Sequence, residues 1–376
     1  MARPRRPDGK DSGNFVSEWF GRRIFPTVRL DSVAVLSGAD RHACPFLTAA
    51  QGQRTACWKA PASRGVCTIS ATSNGTRQDW LACPHRVIHT DIVRQSCERM
   101  FGPGAGDIKP VPVSALVHPG PRRDLTAALR RNGRAFVFFQ DKLGGEIAIP
   151  GSRRTPEMSF DITLVELRPA ETGPPLPSRY GLLEVQTMDF HGSYRAAVSA
   201  LENALDLHGD GFPAILQENQ AWAGRGVEGP NIANVFKRTF YQIMIKFQLA
   251  RGAAAGTVLA LPRAVWDSWQ PFLGAPEVRA DGSGDLTLAG PATGGLNAFI
   301  CIFDLDASAV ATPSDISPVR IEAFIRVSPE QLARHAFREV PRRMLASLSD
   351  DDPIMASIRA RLARWWPEED RAETSS

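Results

Sequence analysis

The sequence predicts a mixed α/β fold, in which helices cover a mixed central sheet and a loop-rich cysteine module precedes it. Short apolar runs such as "RAFVFFQ", which starts at Arg134, are typical of buried strands. Longer segments repeat apolar residues at three- and four-residue spacing, as amphipathic helices do. Four cysteines fall within forty residues, in a stretch rich in Gly, Ser, Thr and Pro. We therefore expect one large sheet-and-helix unit behind a small module that depends on its thiols.

The composition is that of a soluble globular protein, with 43% hydrophobic and 22% charged residues in 376. No apolar run reaches membrane-spanning length. The basic start "MARPRRPDGKDSGN" lacks the apolar region of a secretory signal. We therefore expect a cytoplasmic protein with no membrane partner.

The net charge of +4, from 44 Lys and Arg against 40 Asp and Glu, is small, but arginines cluster. Arginine suits contacts with phosphate and with guanine edges. Ordinary solvated faces of an arginine-rich chain are the alternative. The adjacent pairs are Arg22 and Arg23, Arg122 and Arg123, Arg130 and Arg131, Arg153 and Arg154, and Arg342 and Arg343.

Four segments follow from these patterns. Residues 1–13 are expected to be a disordered basic tail, and 14–105 an N-terminal region that contains the cysteine module. Residues 106–345 form the sheet-and-helix core, and 346–376 a C-terminal helix with a polar tail. Within the N-terminal region, "NFVSEWFGRRIF" has helix-like apolar spacing, and residues 31–100 resemble loops and short strands more than a packed core.

The core begins with a helix in "PGPRRDLTAALRRNG", which Gly133 ends, followed by the strand "RAFVFFQ". A strand is expected at 159–167, and after a Pro-rich connector another at 180–187. A helix then runs from Tyr194 to Gly209.

A second, longer helix is expected in "GPNIANVFKRTFYQIMIKFQLARG", with Lys237, Arg238 and Lys246 lying away from its apolar stripe. Further strands are expected in "GTVLALP", "NAFICIFDL" and "VRIEAFIRV", and a short basic helix in "SIRARLARWW". Strands and helices that alternate in this way are typical of a sheet covered by helices.

Carboxylates stand on the two strands that the Pro-rich connector joins. Asp161 is early in the first, and Glu184 and Gln186 are two residues apart in the second, so that both face the same side. Asp, a hairpin, then Glu-x-Gln is a variant of the PD-(D/E)xK nuclease pattern, in which two carboxylates bind Mg²⁺. Gln186 replaces the usual Lys and supplies no positive charge. The alternative is that Asp161 caps a strand edge and Glu184 pairs with an arginine such as Arg179.

Glu146 is a candidate third acidic residue, in "KLGGEIAI". The two glycines before it would allow a phosphate to approach the backbone closely. A plain turn that enters a strand is the alternative.

The clustered thiols of Cys44, Cys57, Cys67 and Cys83 indicate a closed structural metal site more than disulfides, because the chain has no secretion signal. No C-x₂-C pair is present, so the spacing is not that of a zinc finger or ribbon. Thiolate ligands suit zinc or iron, and the spacing does not choose between them.

Several ordered blocks also resemble the NotI family of type II restriction endonucleases over roughly residues 14–305. These blocks are "ACPFLTAA", "SRGVC", "DWLACP", "FQDKLGGE", "FDITLVEL", "YGLLEVQTMDFHGSY" and "EGPNIANVFKRTFYQ". The resemblance implies a PD-(D/E)xK core and a bacterial, cytoplasmic homodimer. It implies Mg²⁺-dependent double-strand cleavage at a long GC-rich palindrome of the 5′-GCGGCCGC type, leaving 5′-phosphate ends.

By the same resemblance, Asp161, Glu184 and Gln186 are the catalytic motif and Glu146 is an acidic neighbour. Asp161 and Glu184 would bind Mg²⁺. The family's four metal-binding cysteines match Cys44, Cys57, Cys67 and Cys83, where the metal is iron. Two other functions stay open: a metal-stabilised, sequence-specific DNA-binding protein without cleavage, and a repair nuclease on the same core.

Overall fold

The computed structural model describes residues 13–36, 41–89, 91–249, 252–289, 297–306, 315–346 and 353–365. The strands are β1 (Phe15–Trp19), β2 (Arg22–Arg23), β3 (Val66–Ser73), β4 (Thr76–Leu81), β5 (Val111–Pro112), β6 (Ala135–Gln140), β7 (Ile147–Ile149), β8 (Met158–Phe160), β9 (Ile162–Arg168), β10 (Leu176–Val185), β11 (Ala254–Pro262), β12 (Val278–Ala280), β13 (Leu286–Leu288), β14 (Ala298–Leu305) and β15 (Val319–Arg326). The helices are α1 (Val33–Leu36), α2 (Pro45–Gln51), α3 (Asp91–Phe101), α4 (Pro119–Asn132), α5 (Arg195–His208), α6 (Phe212–Glu218), α7 (Ala221–Gly224), α8 (Ile232–Leu249), α9 (Arg263–Leu273), α10 (Pro329–Arg334), α11 (Val340–Ala346) and α12 (Pro353–Trp365).

Nine of the described strands form one mixed sheet in the order β12-β13-β15-β14-β11-β10-β9-β6-β5. The run β6, β9, β10 is antiparallel, and β10 then pairs in parallel with β11. A parallel pair needs a crossover, which here includes α5 and α8. The predicted α/β class, a large mixed sheet flanked by helices, is confirmed.

Apolar clusters lie against both faces of this sheet. On one face, Leu259 and Ile300 belong to a cluster with Val235 of α8 and Trp269 of α9. On the other, Val258 and Phe299 belong to a cluster with residues of α3. Strands buried on both faces explain the continuous apolar runs of "GTVLALP" and "NAFICIFDL".

The N-terminal region is more ordered than its composition indicates. Residues 15–23 form β1 and β2, so the helix-like interpretation of "NFVSEWFGRRIF" is wrong. β2, β1, β3 and β4 make a small antiparallel sheet, and α3 is a regular helix, so residues 31–100 are not mainly loops. Thr68 and Ser70 of β3 give this stretch a loop-like composition, although they alternate with Ile69 and Ala71 and are themselves buried. β1 and β4 contribute to the same apolar cluster as α5 and α8.

Most of the predicted core elements are confirmed within a few residues. Helix α4 ends at Asn132 with Gly133 in the left-handed conformation, and α5 ends before Gly209. The strand expected at 159–167 is divided, because β8 pairs with β7 in a small hairpin whereas β9 joins the large sheet. Asp161 lies between β8 and β9.

The C-terminal helix is α12, while most of the predicted basic tail (1–12) and polar tail (366–376) lies outside the described residues. None of the described helices combines the length and the apolar character that crossing a bilayer requires.

Candidate functional site

Asp161 and Glu184 come together because β9 and β10 are antiparallel neighbours. Leu183 pairs with Ile162, so the residue before β9 lies beside the end of β10. Asp161 Oδ2 accepts a hydrogen bond from the backbone N–H of Val185 at 2.9 Å. Asp161 also lies close enough to Glu184 for its charge to shift the pKa of the Glu184 carboxyl. The strand register and the hydrogen bond from Val185 therefore place both carboxylates at one end of the sheet.

Both carboxylates line a cavity of about 770 Å³. Its floor is the end of β10 and its walls come from α8 and from two segments of the N-terminal region. The other charged or polar residues in its lining include Lys59, Ser63, Gln186, Thr187, Asp189, Asn231, Arg238, Thr239, Gln242 and Lys246. A cavity with several convergent polar groups is where substrate or cofactor binding is expected.

The Glu184 side chain is buried in an unfavourable environment for a carboxylate. Burial, and then the neighbouring charge of Asp161, raise the pKa of the Glu184 carboxyl to about 8, although Lys246 opposes the shift. Among the described residues, its buried Oε1 atom has no hydrogen-bond partner. A buried carboxylate oxygen without a partner is costly, and a bound cation would compensate it.

Lys246 of α8 is the cation in contact with this carboxylate. Its Nζ donates a hydrogen bond to Oε2 of Glu184, and only 5% of Lys246 is exposed. The ammonium also lies 5.7 Å from the ring centroid of Phe160. The expectation that Lys246 lies away from the buried stripe is therefore wrong. The alternative pairing of Glu184 with Arg179 is also excluded in this arrangement, because Arg179 pairs with Glu166 at 2.8 Å.

Gln186 follows the end of β10, and both the oxygen and the nitrogen of its side-chain amide form hydrogen bonds. Its Oε1 accepts a hydrogen bond from Thr239 Oγ1 at 2.6 Å, and its Nε2 donates to the carbonyl of Thr187. The backbone N–H of Gln186 donates to Ala260 of β11 at 3.1 Å, which continues the parallel pairing by one residue. The sequence prediction that Glu184 and Gln186 face the same side is met, since both line the cavity.

Glu146 lies on the other side of Asp161. It precedes β7, after Gly144 and Gly145, which both have positive φ angles of 110° and 85°. Together with Asp141 and Asp161 it lines a smaller cavity of about 150 Å³. Glu146 is therefore an acidic neighbour of Asp161 but does not line the larger cavity that holds Glu184 and Lys246.

Two local pairings bring the four clustered cysteines into one neighbourhood. Cys44 and Cys57 adjoin the antiparallel bridge between Ala43 and Ala56. Cys67 and Cys83 lie at the open end of the β3–β4 hairpin, where the N–H of Ala82 donates to the carbonyl of Cys67 at 3.0 Å. The wide gaps in sequence are thus closed by strand pairing.

The thiols interact electrostatically across these pairs. Burial raises the pKa of Cys44 to about 12, and Cys83 and Cys57 both contribute to that shift. Hydrogen bonding between Cys67 and Cys83 raises the pKa of Cys67 and lowers that of Cys83. Nevertheless, no group of three or more His, Cys, Asp or Glu side chains within the described ranges is arranged as a metal site.

Residues adjacent to these cysteines form part of the cavity wall. Trp58 lines both cavities, and its indole Nε1 donates to Nδ1 of His85. His85 is 2% exposed, lowers the pKa of the nearby Cys83 thiol, and lies 3.2 Å from the amide nitrogen of Gln140 through its Nε2. Side chains next to the thiol cluster thus line the cavities that also contain the carboxylates.

Sequence reasoning missed Lys246, Thr239, Trp58 and His85. A signal for the first two was present. At 100° per residue, Lys246 projects from α8 between the directions of Val235 and Thr239, inside the buried face. A lysine on the apolar side of a helix needs a partner. Trp58 and His85 had no such signal, because their positions depend on how two loops meet.

Comparisons with known proteins assign no family to this arrangement. The chain matches no protein-family model and no curated protein. Its function has to follow from the chemistry of its residues.

Proposed function

We propose that this protein is a Mg²⁺-dependent endonuclease that makes double-strand cuts in DNA, of the type II restriction kind that the NotI family represents. The observation that carries the proposal is the convergence of Asp161 and Glu184 in one cavity, where Glu184 Oε1 is buried and has no hydrogen-bond partner in the part of the chain that the structure describes. The order β6-β9-β10-β11, with a helical crossover before the parallel strand, is also consistent with a PD-(D/E)xK core.

The donor atoms suit Mg²⁺, which prefers carboxylate oxygens and keeps several of its waters. Asp161 and Glu184 would hold the ion, and Glu184 Oε1, which has no hydrogen-bond partner among the described residues, would be one of its ligands. When bound, Mg²⁺ would offset charge on the scissile phosphate and lower the pKa of the attacking water.

The protein's own residues orient the reaction. Hydrolysis joins a water oxygen to phosphorus and releases the 3′ oxygen, which leaves a 5′-phosphate and a 3′-hydroxyl. The backbone hydrogen bond from Val185 fixes Asp161, while Thr239 fixes Gln186 at the cavity wall. Glu146 lines the smaller cavity beside Asp161. Its negative charge would repel the DNA phosphate unless a cation is bound.

The substrate we propose is a GC-rich palindrome, which calls for a two-fold homodimer with one active site per strand. Arginine side chains would read guanine O6 and N7. Arg153 and Arg154 are exposed at the tip of the β7–β8 hairpin, between Glu146 and Asp161, and are our candidates for DNA contact.

We also propose that Cys44, Cys57, Cys67 and Cys83 bind one structural iron or zinc. The donors are of the class that soft transition metals prefer, and three of the four are buried. Such a metal would fix the wall that carries Trp58 and His85, and its role would be structural because four thiolates fill its coordination.

The decisive experiment is a digest of a GC-rich genome with the purified protein and Mg²⁺, followed by sequencing of the ends. We expect discrete fragments with double-strand ends at one fixed sequence. A gel shift without cutting would indicate a DNA-binding protein instead, and single-strand nicks without a fixed sequence a repair nuclease. The same digest gives the site and the offset of cleavage.

A further inference from the structure

The strand motif of this site lacks a cation. Gln186 occupies the position next to the carboxylates, and it is a neutral amide whose oxygen and nitrogen are both engaged, with Thr239 and with the carbonyl of Thr187. Rotation of its side chain would break one of these hydrogen bonds. Because Gln186 is only 8% exposed, water could not easily replace the lost bond. Gln186 is therefore held as a structural link between β10 and α8.

Helix α8 supplies the positive charge. Thr239 and Lys246 are two turns apart, so they project from one face of α8 toward the end of β10. Thr239 reaches Gln186 and Lys246 reaches Glu184, and these two partners are themselves two residues apart on one side of the strand end. The register of helix against strand therefore places the Lys246 ammonium at the carboxylates.

The other cations in the described lining of the cavity are engaged elsewhere. Lys59 Nζ donates to the carbonyls of Val66 and Ala82 at 2.6 and 3.1 Å. Arg238 pairs with Asp189 at 2.7 Å, and half of its side chain is exposed. Among these three lining cations, Lys246 is the one in contact with Asp161 or Glu184.

Packing alone does not account for a lysine at this position. Its neighbours Ile243 and Phe247 are buried apolar residues, and an apolar side chain would continue the stripe without desolvating a charge. Burying the two groups removes them from water, and their mutual attraction has to offset that loss of hydration. Such a placement is typical of a functional group.

We propose that Lys246 is a catalytic residue that provides, from helix α8, the ammonium that Gln186 cannot provide from the strand. This assignment rests on the proposed nuclease function. Without a bound cation, the Lys246 ammonium donates its hydrogen bond to Glu184. When Glu184 is engaged by a bound cation, Lys246 Nζ donates instead to a non-bridging oxygen of the scissile phosphate. At this phosphate, the water oxygen bonds to phosphorus and the bond from phosphorus to the 3′ oxygen breaks. The water loses one proton, and the 3′ oxygen gains one.

The first test measures single-turnover cleavage of a cognate DNA. Lys246→Met keeps the length of the side chain and suits the apolar stripe, so we expect it to fold. It should cut at least ~100-fold more slowly, the size of effect that loss of one preorganised donor produces. Lys246→Met combined with Gln186→Lys returns an ammonium to the site from the strand, and it should recover at least ~10-fold of the loss. A structural role for Lys246 would not produce this recovery.

The second test needs no metal and no cleavage. In EDTA, Glu184→Gln leaves the Lys246 ammonium without its carboxylate partner, so that it becomes available to a DNA phosphate. Adding Lys246→Met should then reduce the slope of log Kd against log salt by about one, as expected for one lost phosphate contact.

The outcomes separate the two proposals. A wild-type protein that cuts no DNA would overturn the nuclease function and the role of Lys246 with it. Cleavage by the wild type together with cleavage by Lys246→Met within threefold of the wild-type rate would overturn the assignment of Lys246 alone. A slope that Lys246→Met leaves unchanged, or a double variant no faster than Lys246→Met, would also contradict it.

Discussion

The Nζ of Lys246 donates a buried hydrogen bond to Oε2 of Glu184, where only 5% of the lysine and 6% of the glutamate are exposed. The pair joins the middle of the sheet to the helix that covers it. It also leaves the second oxygen of Glu184 unpaired among the described residues, so the carboxylate can accept a further cation.

Replacing either carboxylate by its amide should abolish cleavage and preserve DNA binding. Asp161→Asn and Glu184→Gln keep the shape of each side chain but remove the charge that holds Mg²⁺, so we expect cleavage to fall ~1000-fold or more. Gel shifts in Ca²⁺ would measure binding. Glu277→Gln is the control, because Glu277 forms an exposed pair with Arg279 on β12 and does not line either cavity, so it should cut normally. Normal cleavage by Asp161→Asn or Glu184→Gln would contradict the site.

The metal-free protein should lose stability as the pH rises from 5 to 9. The pKa of Glu184 is raised from 4.5 to about 8 on folding, chiefly by burial, so the folded protein retains a proton that the unfolded chain releases. This contribution is complete below pH 4.5 and is lost as the pH rises through about 8. The free energy of unfolding should fall by at most ~1.4 kcal/mol per pH unit in this range. Urea denaturation in EDTA measures it, and Glu184→Gln should show a flatter profile; parallel profiles would exclude Glu184 as the source.

Serine substitution in the thiol cluster should release the structural metal. Cys67→Ser or Cys83→Ser removes one thiolate, and we expect the metal content to fall from about one per chain to near zero, with a lower melting temperature. Cys97→Ser is the matched control, since Cys97 is also fully buried but lies outside the cluster. Elemental analysis of each purified protein measures the iron and zinc content per chain. Wild-type protein without iron or zinc would disprove the metal, and full retention in Cys67→Ser would disprove the ligand.

The tip of the β7–β8 hairpin should contribute to DNA affinity. The double variant Arg153→Ala with Arg154→Ala removes two exposed charges that lie between Glu146 and Asp161 in the sequence. We expect Kd for DNA to rise and the slope of log Kd against log salt to fall by about two. Arg122→Ala with Arg123→Ala changes another exposed pair, at the start of α4, and should have a smaller effect. Equal effects of the two double variants would indicate nonspecific charge only.

Local patterns were enough for much of this protein. Periodicity predicted α4, α5 and α8 and the strands β6, β10, β11, β14 and β15, because each buries a regular apolar pattern. The meeting of Asp161 and Glu184 was also predictable, since a short connector joins adjacent antiparallel strands. The N-terminal sheet was missed because buried Ser and Thr side chains in β3 have the composition of loops.

The sequence by itself was enough to predict the α/β class. It also identified Asp161, Glu184 and Gln186 as the candidate site, and the four clustered cysteines as a group. Only the tertiary structure decided which cation meets Glu184. Arg179 is near it in sequence but pairs with Glu166, whereas Lys246 is remote in sequence and reaches it. The physical reason is that the rotation of α8 is fixed by packing over its whole apolar face against the sheet. That packing turns Lys246 inward, where only a buried carboxylate can offset its charge.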